Sequence, residues 1–491
     1  MRLRALDFAI IVVYLIGITA FGAHFRKSQH TLKDYFLGGR TVPWWAIALS
    51  IVSAETSILT IIGTPGIAYN GNLGFLQVVF GYLLARVVIS TVLLPHYFKG
   101  ELYTAYQLID RRFGSRLRRV TAASFLVIRG LAEGVRVFAI SILVGIVLGT
   151  GELVSVVLIT ILTLFYTFEG GMTAVIWTDV IQMGIYVAGA LLSFGMLLHL
   201  VPGGWPEVVS LAAANGDKFR IFDFTLSLSK TYTFWAGLVG GMFLTTATHG
   251  TDQLMVQRLL AARNERDSRR ALFASWLVVF FQFTLFLVIG VMLFAYYRHF
   301  PPSRPFARSD AIFPTFIADN FPPVIAGLVV AAILAAAMSN LSAALNALAS
   351  TSVVDFYKSH FAPGRSEAHY LRVSRFATLI WGGILVGIAM ASAHWQTSVF
   401  EMGLSIASVA FGCLLGVFLL GVLTRRANEF GGIAGMIVGL AVMVYVWQWT
   451  STHWTWYVPI GTATTFSVGY LSSLLRPEAA GSRQEAVGRR Q

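Results

Sequence analysis

Apolar stretches long enough to cross a bilayer as helices recur along the whole chain, separated by short polar segments. Their pattern predicts thirteen spans, at about 5–23, 44–70, 75–98, 119–149, 153–169, 175–201, 232–260, 271–297, 322–354, 371–393, 397–423, 432–450 and 455–475. The expected fold class is therefore all-α, a polytopic membrane protein. The longest polar stretches, about 202–231 and 298–321, are too short to be domains. One transmembrane domain over 1–475 follows, with a polar, aromatic-free tail at 476–491 expected to be disordered. The first apolar run, Ala5 to Ala23, lacks a small-residue cleavage site and reads as a retained helix.

Composition agrees: of 491 residues, 56% are hydrophobic and 12% charged, against roughly 25% charged in soluble domains. The net charge of +13 raises the question of nucleic acid, and the placement of the basic residues answers it. Most Lys and Arg fall in the alternate segments 24–43, 99–119, 257–270, 355–375 and 424–432 and in the tail. By the positive-inside rule these are cytoplasmic, which puts the protein in the cell membrane with its N-terminus outside and its C-terminus inside. The excess charge is a topology signal, and no nucleic-acid partner is expected; RRFGSRLRR at 111–119 reads as a solvated face beside anionic headgroups. A single cysteine, Cys413, excludes a disulfide within the chain. No nucleotide-binding motif, nucleophile–base pair or metal-ligand histidine spacing is visible, so the sequence predicts no enzyme, no cofactor and no transition metal, and no obligate protein partner is evident.

Polar residues at membrane depth are few and clustered. Span two carries Ser50, Ser53, Glu55, Thr56, Ser57, Thr60 and Thr64 and closes on Gly63, Pro65 and Gly66. Span four carries Arg129, Glu133 and Arg136 on one helical face, with net charge +1. Span six holds Asp179, span seven His249, Asp252 and Gln253, and span nine Ser339, Asn340, Ser342 and Asn346. A lone Ser or Thr usually bonds its own helix or a neighbour. Dense hydroxyls beside helix breakers instead suggest a discontinuous helix whose carbonyls hold a cation at the midplane. SAETS in span two and MSNLS in span nine together predict an ion site made of oxygens.

DYFLGGRTVPWW (34–45), GGMTAVIWTDVIQ (170–182), DQLMVQR (252–258), MSNLSAALNALASTSVVDFY (338–357) and FLLGVLTRRANEFGG (418–432) together resemble the sodium:solute symporters, in that family's order. The resemblance implies a leucine-transporter-type core of two inverted repeats, about 44–201 and 232–423. It also implies a sodium-coupled symporter working by alternating access. Its sodium ligands would be the carbonyls of Ser53, Thr56 and Ala336 and side-chain oxygens of Ser339 and Asn340, the last a position where the family usually has Ser or Thr. Ser342 matches one hydroxyl of a further sodium site, but Ala343 lacks the second, so one sodium per cycle is expected. Asp179 matches an aspartate near the family's inner sodium exit; the other reading is an acid stabilised at a helix N-terminus.

For the solute, Glu55, Gln77, Arg86, Arg129, Glu133, His249, Asp252, Gln253 and Glu401 are the polar candidates. Asp252 stands where many relatives have Asn, and Glu55 falls between two backbone ligands, where it lines the cavity or titrates. An arginine left over on the span-four face would suit a carboxylate, favouring a small organic anion. Sugars, amino acids and proton coupling on the same fold stay open.

Overall fold

A computed structural model of the chain describes residues 5–25, 30–56, 58–148, 152–302, 305–306, 309–392 and 399–476. Among them no strand occurs, and the one bridge outside the helices joins Val42 to Ala262. Helices fall in each of the thirteen predicted ranges. Among the described residues, seven helices are long and apolar enough to cross a membrane by length and composition, including Ala5–His24, Leu76–Tyr97 and Glu265–His299. Spans two and seven are each cut into two shorter helices. The tail beyond Arg476, expected to be disordered, lies outside the described residues.

Local chemistry sets the helix ends. Asn264 opens Glu265–His299 by accepting the Asp267 N–H, and acids in its first turn face basic residues in its last, matching the helix dipole. Spans five and six form one continuous run, Glu152–Leu200, bent at Gly171, whose φ of 54° and ψ of −150° suit only glycine.

Span nine, Ile325–Thr351, is the most enclosed of the long apolar helices among the described residues. Its alanines and serines let neighbouring backbones come close, the usual device of membrane interfaces. Spans three and seven meet almost backbone to backbone: a Cβ at Gly241 would lie 2.4 Å from the Val78 carbonyl. Around span nine pack spans six, four and ten, with span one outside against six and nine. Spans eleven, twelve and thirteen form a tight group at the side.

Candidate ion and solute site

Span two is helical over Trp44–Glu55 and again over Ile58–Asn70. Between them Thr56 is extended, with φ −85° and ψ 103°. Serine and threonine have lower helix propensity than alanine or leucine, which weakens the helix where it stops. The break thus falls in SAETS; Ser57, part of that expectation, lies outside the described residues. Pro65 sits inside the second helix. Gly66 instead serves packing, since a Cβ there would lie 2.8 Å from the Ser309 carbonyl.

Span nine meets this break with MSNLS. Ser53 Oγ lies 2.8 Å from Ser339 Oγ, and Ser339 donates to Asp179 at 2.6 Å. Ser339 has one proton to give, so Ser53 is the donor of the first bond. Ser50 donates to the other Asp179 oxygen at 2.5 Å, and Arg258 bonds the same oxygen at 2.9 Å and Ser50 at 2.8 Å. Asn340 Nδ2 donates to the Thr56 carbonyl at 2.8 Å, while Gln282 of span eight donates to the Thr56 hydroxyl at 2.7 Å. Ser342 turns back to the Ser339 carbonyl. Ala336 lies within the same helix as Ser339 and Asn340.

Asp179 lies about two turns past the bend at Gly171, inside the run Glu152–Leu200, and is fully buried, so the helix-terminus reading is corrected. Its charge is balanced by Arg258. That arginine, counted with a basic loop in the sequence, is itself buried at 1% exposure in helix Gln253–Leu260. Arg118 of RRFGSRLRR is likewise not solvated: it is buried and paired with Asp355 at 2.8 Å and Asp110 at 3.2 Å.

Glu55 points away from Ser339. Its carboxylate is 2.9 Å from Arg86 and 3.2 Å from His249, with Arg86 wholly buried and Glu55 retaining 11% side-chain exposure. Span seven breaks after Gly250, and Asp252, with ψ 125°, caps the next helix by accepting the Leu254 N–H. The break rotates the chain, so His249 and Gln253 do not share a region. Gln253 instead binds Tyr103, Ala105 and Ser350.

Asp252 also takes Arg129 at 3.2 Å; Arg129 binds Glu133 at 2.8 Å, and Glu133 binds Arg136 at 2.6 Å. The expected surplus arginine is therefore corrected: Asp252, from another span, completes a set of two acids and two arginines. Gln77 is not brought to the site, because its amide is used by the Gly74, Tyr232 and Asp223 backbones. The Glu401 side chain lies outside the described residues.

The family model described as "SSF: Sodium:solute symporter family" matches residues 35–439. The chain belongs to this family. Among similar proteins, the symporter is 28% identical to the sodium/sialic acid symporter NanT of Aliivibrio fischeri, over 95% of this chain and 93% of that one. It is 29% identical to the mouse sodium-coupled monocarboxylate transporter 1, over 90% and 72%. Among solved structures it resembles a substrate-bound, outward-open Na+-coupled sialic acid symporter, with TM-score 0.87 and 28% identity over 96% and 99% of the two chains. It also shares its fold with Mhp1, a nucleobase-cation-symport-1 family transporter, at TM-score 0.61 and 12% identity over 89% and 93%. This symporter is a membrane-spanning, sodium-coupled carrier of a small solute with a leucine-transporter-type core, sodium being the co-transported ion; it is not an enzyme.

Proposed function

We propose that the symporter imports a small organic anion together with one sodium ion, held at the break of span two by the carbonyls of Ser53, Thr56 and Ala336 and by Ser339 and Asn340. The observation that carries this reading is the meeting of the broken helix at Thr56 with Ser339 and Asn340 of span nine. A hard cation prefers oxygen ligands, and broken-helix carbonyls supply them without a fixed charge. Asn340 must turn its amide to offer oxygen in place of nitrogen, since two facing oxygens repel unless a cation lies between them. Arg258 on Asp179 supports a single sodium, because it already compensates the nearest carboxylate.

Sodium joins span two to span nine, which belong to different repeats in the proposed division at 44–201 and 232–423. Binding therefore biases the arrangement of one repeat against the other, and solute occupying the cavity beside Glu55 completes the closed form. The distribution of the basic loops supports an N-terminus outside and a C-terminus in the cytoplasm. Inward movement of one positive charge down 100 mV supplies about 2.3 kcal/mol. That corresponds to roughly fifty-fold accumulation of a neutral solute; a monovalent anion moving with one sodium is driven by the sodium gradient alone.

The anion reading is supported by the relatives named for sialic acid and for monocarboxylates. Uptake into proteoliposomes tests it. A sodium gradient should drive entry of a short-chain carboxylate or sialic acid, and the corresponding neutral amide should not compete. Uptake that ignores sodium and follows a pH gradient defeats the sodium site; competition by neutral sugars alone defeats the anion assignment.

A further inference from the structure

At the end of the bundle that carries the basic loops, a cavity of about 290 Å³ opens between the end of span eleven and the second half of span thirteen. It is lined by Leu423, Thr424, Arg425, Arg426, Phe466 and Tyr470. Transport along spans two, seven and nine gives it no role. We propose that this cavity binds the phosphate of an anionic membrane lipid.

Its floor and rim differ in chemistry. Leu423, 59% exposed, and Phe466 belong to the apolar spans, whereas Arg425 and Arg426 stand just past the end of span eleven and are exposed. A headgroup phosphate at the arginines would leave its acyl chains against Leu423 and Phe466, an arrangement a soluble anion has no use for. Guanidinium groups match phosphate oxygens in paired hydrogen bonds, and basic pockets between spans beside the cytoplasmic leaflet favour anionic headgroups.

Both walls are held in place before any ligand arrives. Arg112 donates to the carbonyls of Gly421, Thr424 and Ala427 at 3.2, 2.9 and 3.0 Å, fixing the turn that presents Arg425 and Arg426. Asn428 caps the next helix through the Gly431 N–H and donates to the Arg476 carbonyl at 2.7 Å, tying that turn to the end of span thirteen. Arg426 has no acidic partner among the described residues. Beyond Arg476 the sequence adds Glu478 and Glu485 against Arg483, Arg489 and Arg490, a net positive charge.

The test compares delipidated full-length protein in neutral detergent with its Arg425→Gln/Arg426→Gln variant. Phosphatidylglycerol, phosphatidylcholine and inorganic phosphate are added separately to each. Phosphatidylglycerol should raise the Tm of the parent protein and remain bound in native mass spectrometry, while the other two do neither. The variant should lose that gain yet keep its stabilisation by sodium, which separates this site from the ion site. An equal gain in parent and variant overturns the proposal. An equal gain from inorganic phosphate overturns the lipid as its source. If the double variant does not fold, Arg426→Gln is read in the same way, and absence of bound phosphatidylglycerol on the parent protein alone is then sufficient to reject the site.

Discussion

Asn340 donates its side-chain N–H to the carbonyl of Thr56 at 2.8 Å, bridging span nine to the break of span two. The donor occupies the approach to a carbonyl proposed to bind sodium, so each binding event would displace it. Asn340→Ser removes that competitor and supplies a hydroxyl oxygen. A typical hydrogen bond contributes about 0.5–1.5 kcal/mol, which sets the scale at roughly two- to ten-fold. The sodium concentration for half-maximal uptake should fall by about that factor. Asn340→Leu should raise it, and identical sodium curves for Ser and Leu would remove Asn340 from the ligand set.

Ser339 stands between Ser53 and Asp179, at 2.8 and 2.6 Å. Ser339→Ala removes a proposed ligand and leaves one Asp179 oxygen without its donor. Sodium affinity should weaken about ten-fold, equivalent to about 1.4 kcal/mol. Thermal melts in sodium and in potassium measure it. If the sodium-specific increase in Tm survives unchanged, the ion lies elsewhere.

Much of this was legible in the sequence, and the limits have a physical origin. Bilayer thickness forces long apolar runs, so the spans could be read directly, and crowded hydroxyls in SAETS and MSNLS marked the broken helix and its partner. Which charges pair was hidden, because partners come from different spans: Glu55 meets Arg86, and Asp252 meets Arg129. One signal was available. Arg258 falls inside the range 232–260 read as span seven, and a charge at that depth is costly unless it is paired. Asp179 of span six is the partner it meets. Gln77 and Gln253 misled for the opposite reason: an amide at membrane depth looks like a solute contact, but here backbone groups of nearby loops consume it.

Glu55 and Arg86 form a pair in which the arginine has no exposure. Breaking a buried pair by removing one partner typically costs about 3–5 kcal/mol. Glu55→Gln should therefore lower the Tm strongly, and Glu55→Gln combined with Arg86→Gln should recover most of the loss, because the amides can bond each other. Equal losses in the single and double variants would show that the two charges do not depend on each other.

Outside the membrane, Asp223 accepts from Lys230 and Thr225 and gives its own N–H to Gln77, fastening the 221–234 loop over span three. The Lys230 ammonium is the largest influence and holds the carboxyl well below the usual range. A depressed folded value means the contribution is present above the unfolded carboxylate value of about 3.9 and is lost only as pH falls through the lower one. Protease resistance of this loop should thus be flat from about pH 8 to about pH 5. Asp223→Asn should reduce it across that whole window while sodium stabilisation persists; a parent loop that loosens already near pH 6 contradicts the clamp.

Asp252 has two jobs: capping helix Gln253–Leu260 and sharing Arg129 with Glu133. Asparagine caps as well as aspartate, so Asp252→Asn separates them. The cap stays, and one negative charge leaves a set that is otherwise balanced. If the Arg129–Glu133–Arg136 face meets an anionic solute, the freed positive charge should lower KM for the carboxylate several-fold and leave a neutral analogue unaffected. Stability should drop modestly, since Arg129 keeps Glu133 at 2.8 Å. A KM that falls for both solutes alike would point to altered gating in place of charge recognition, and an unchanged KM would place the anion away from span four.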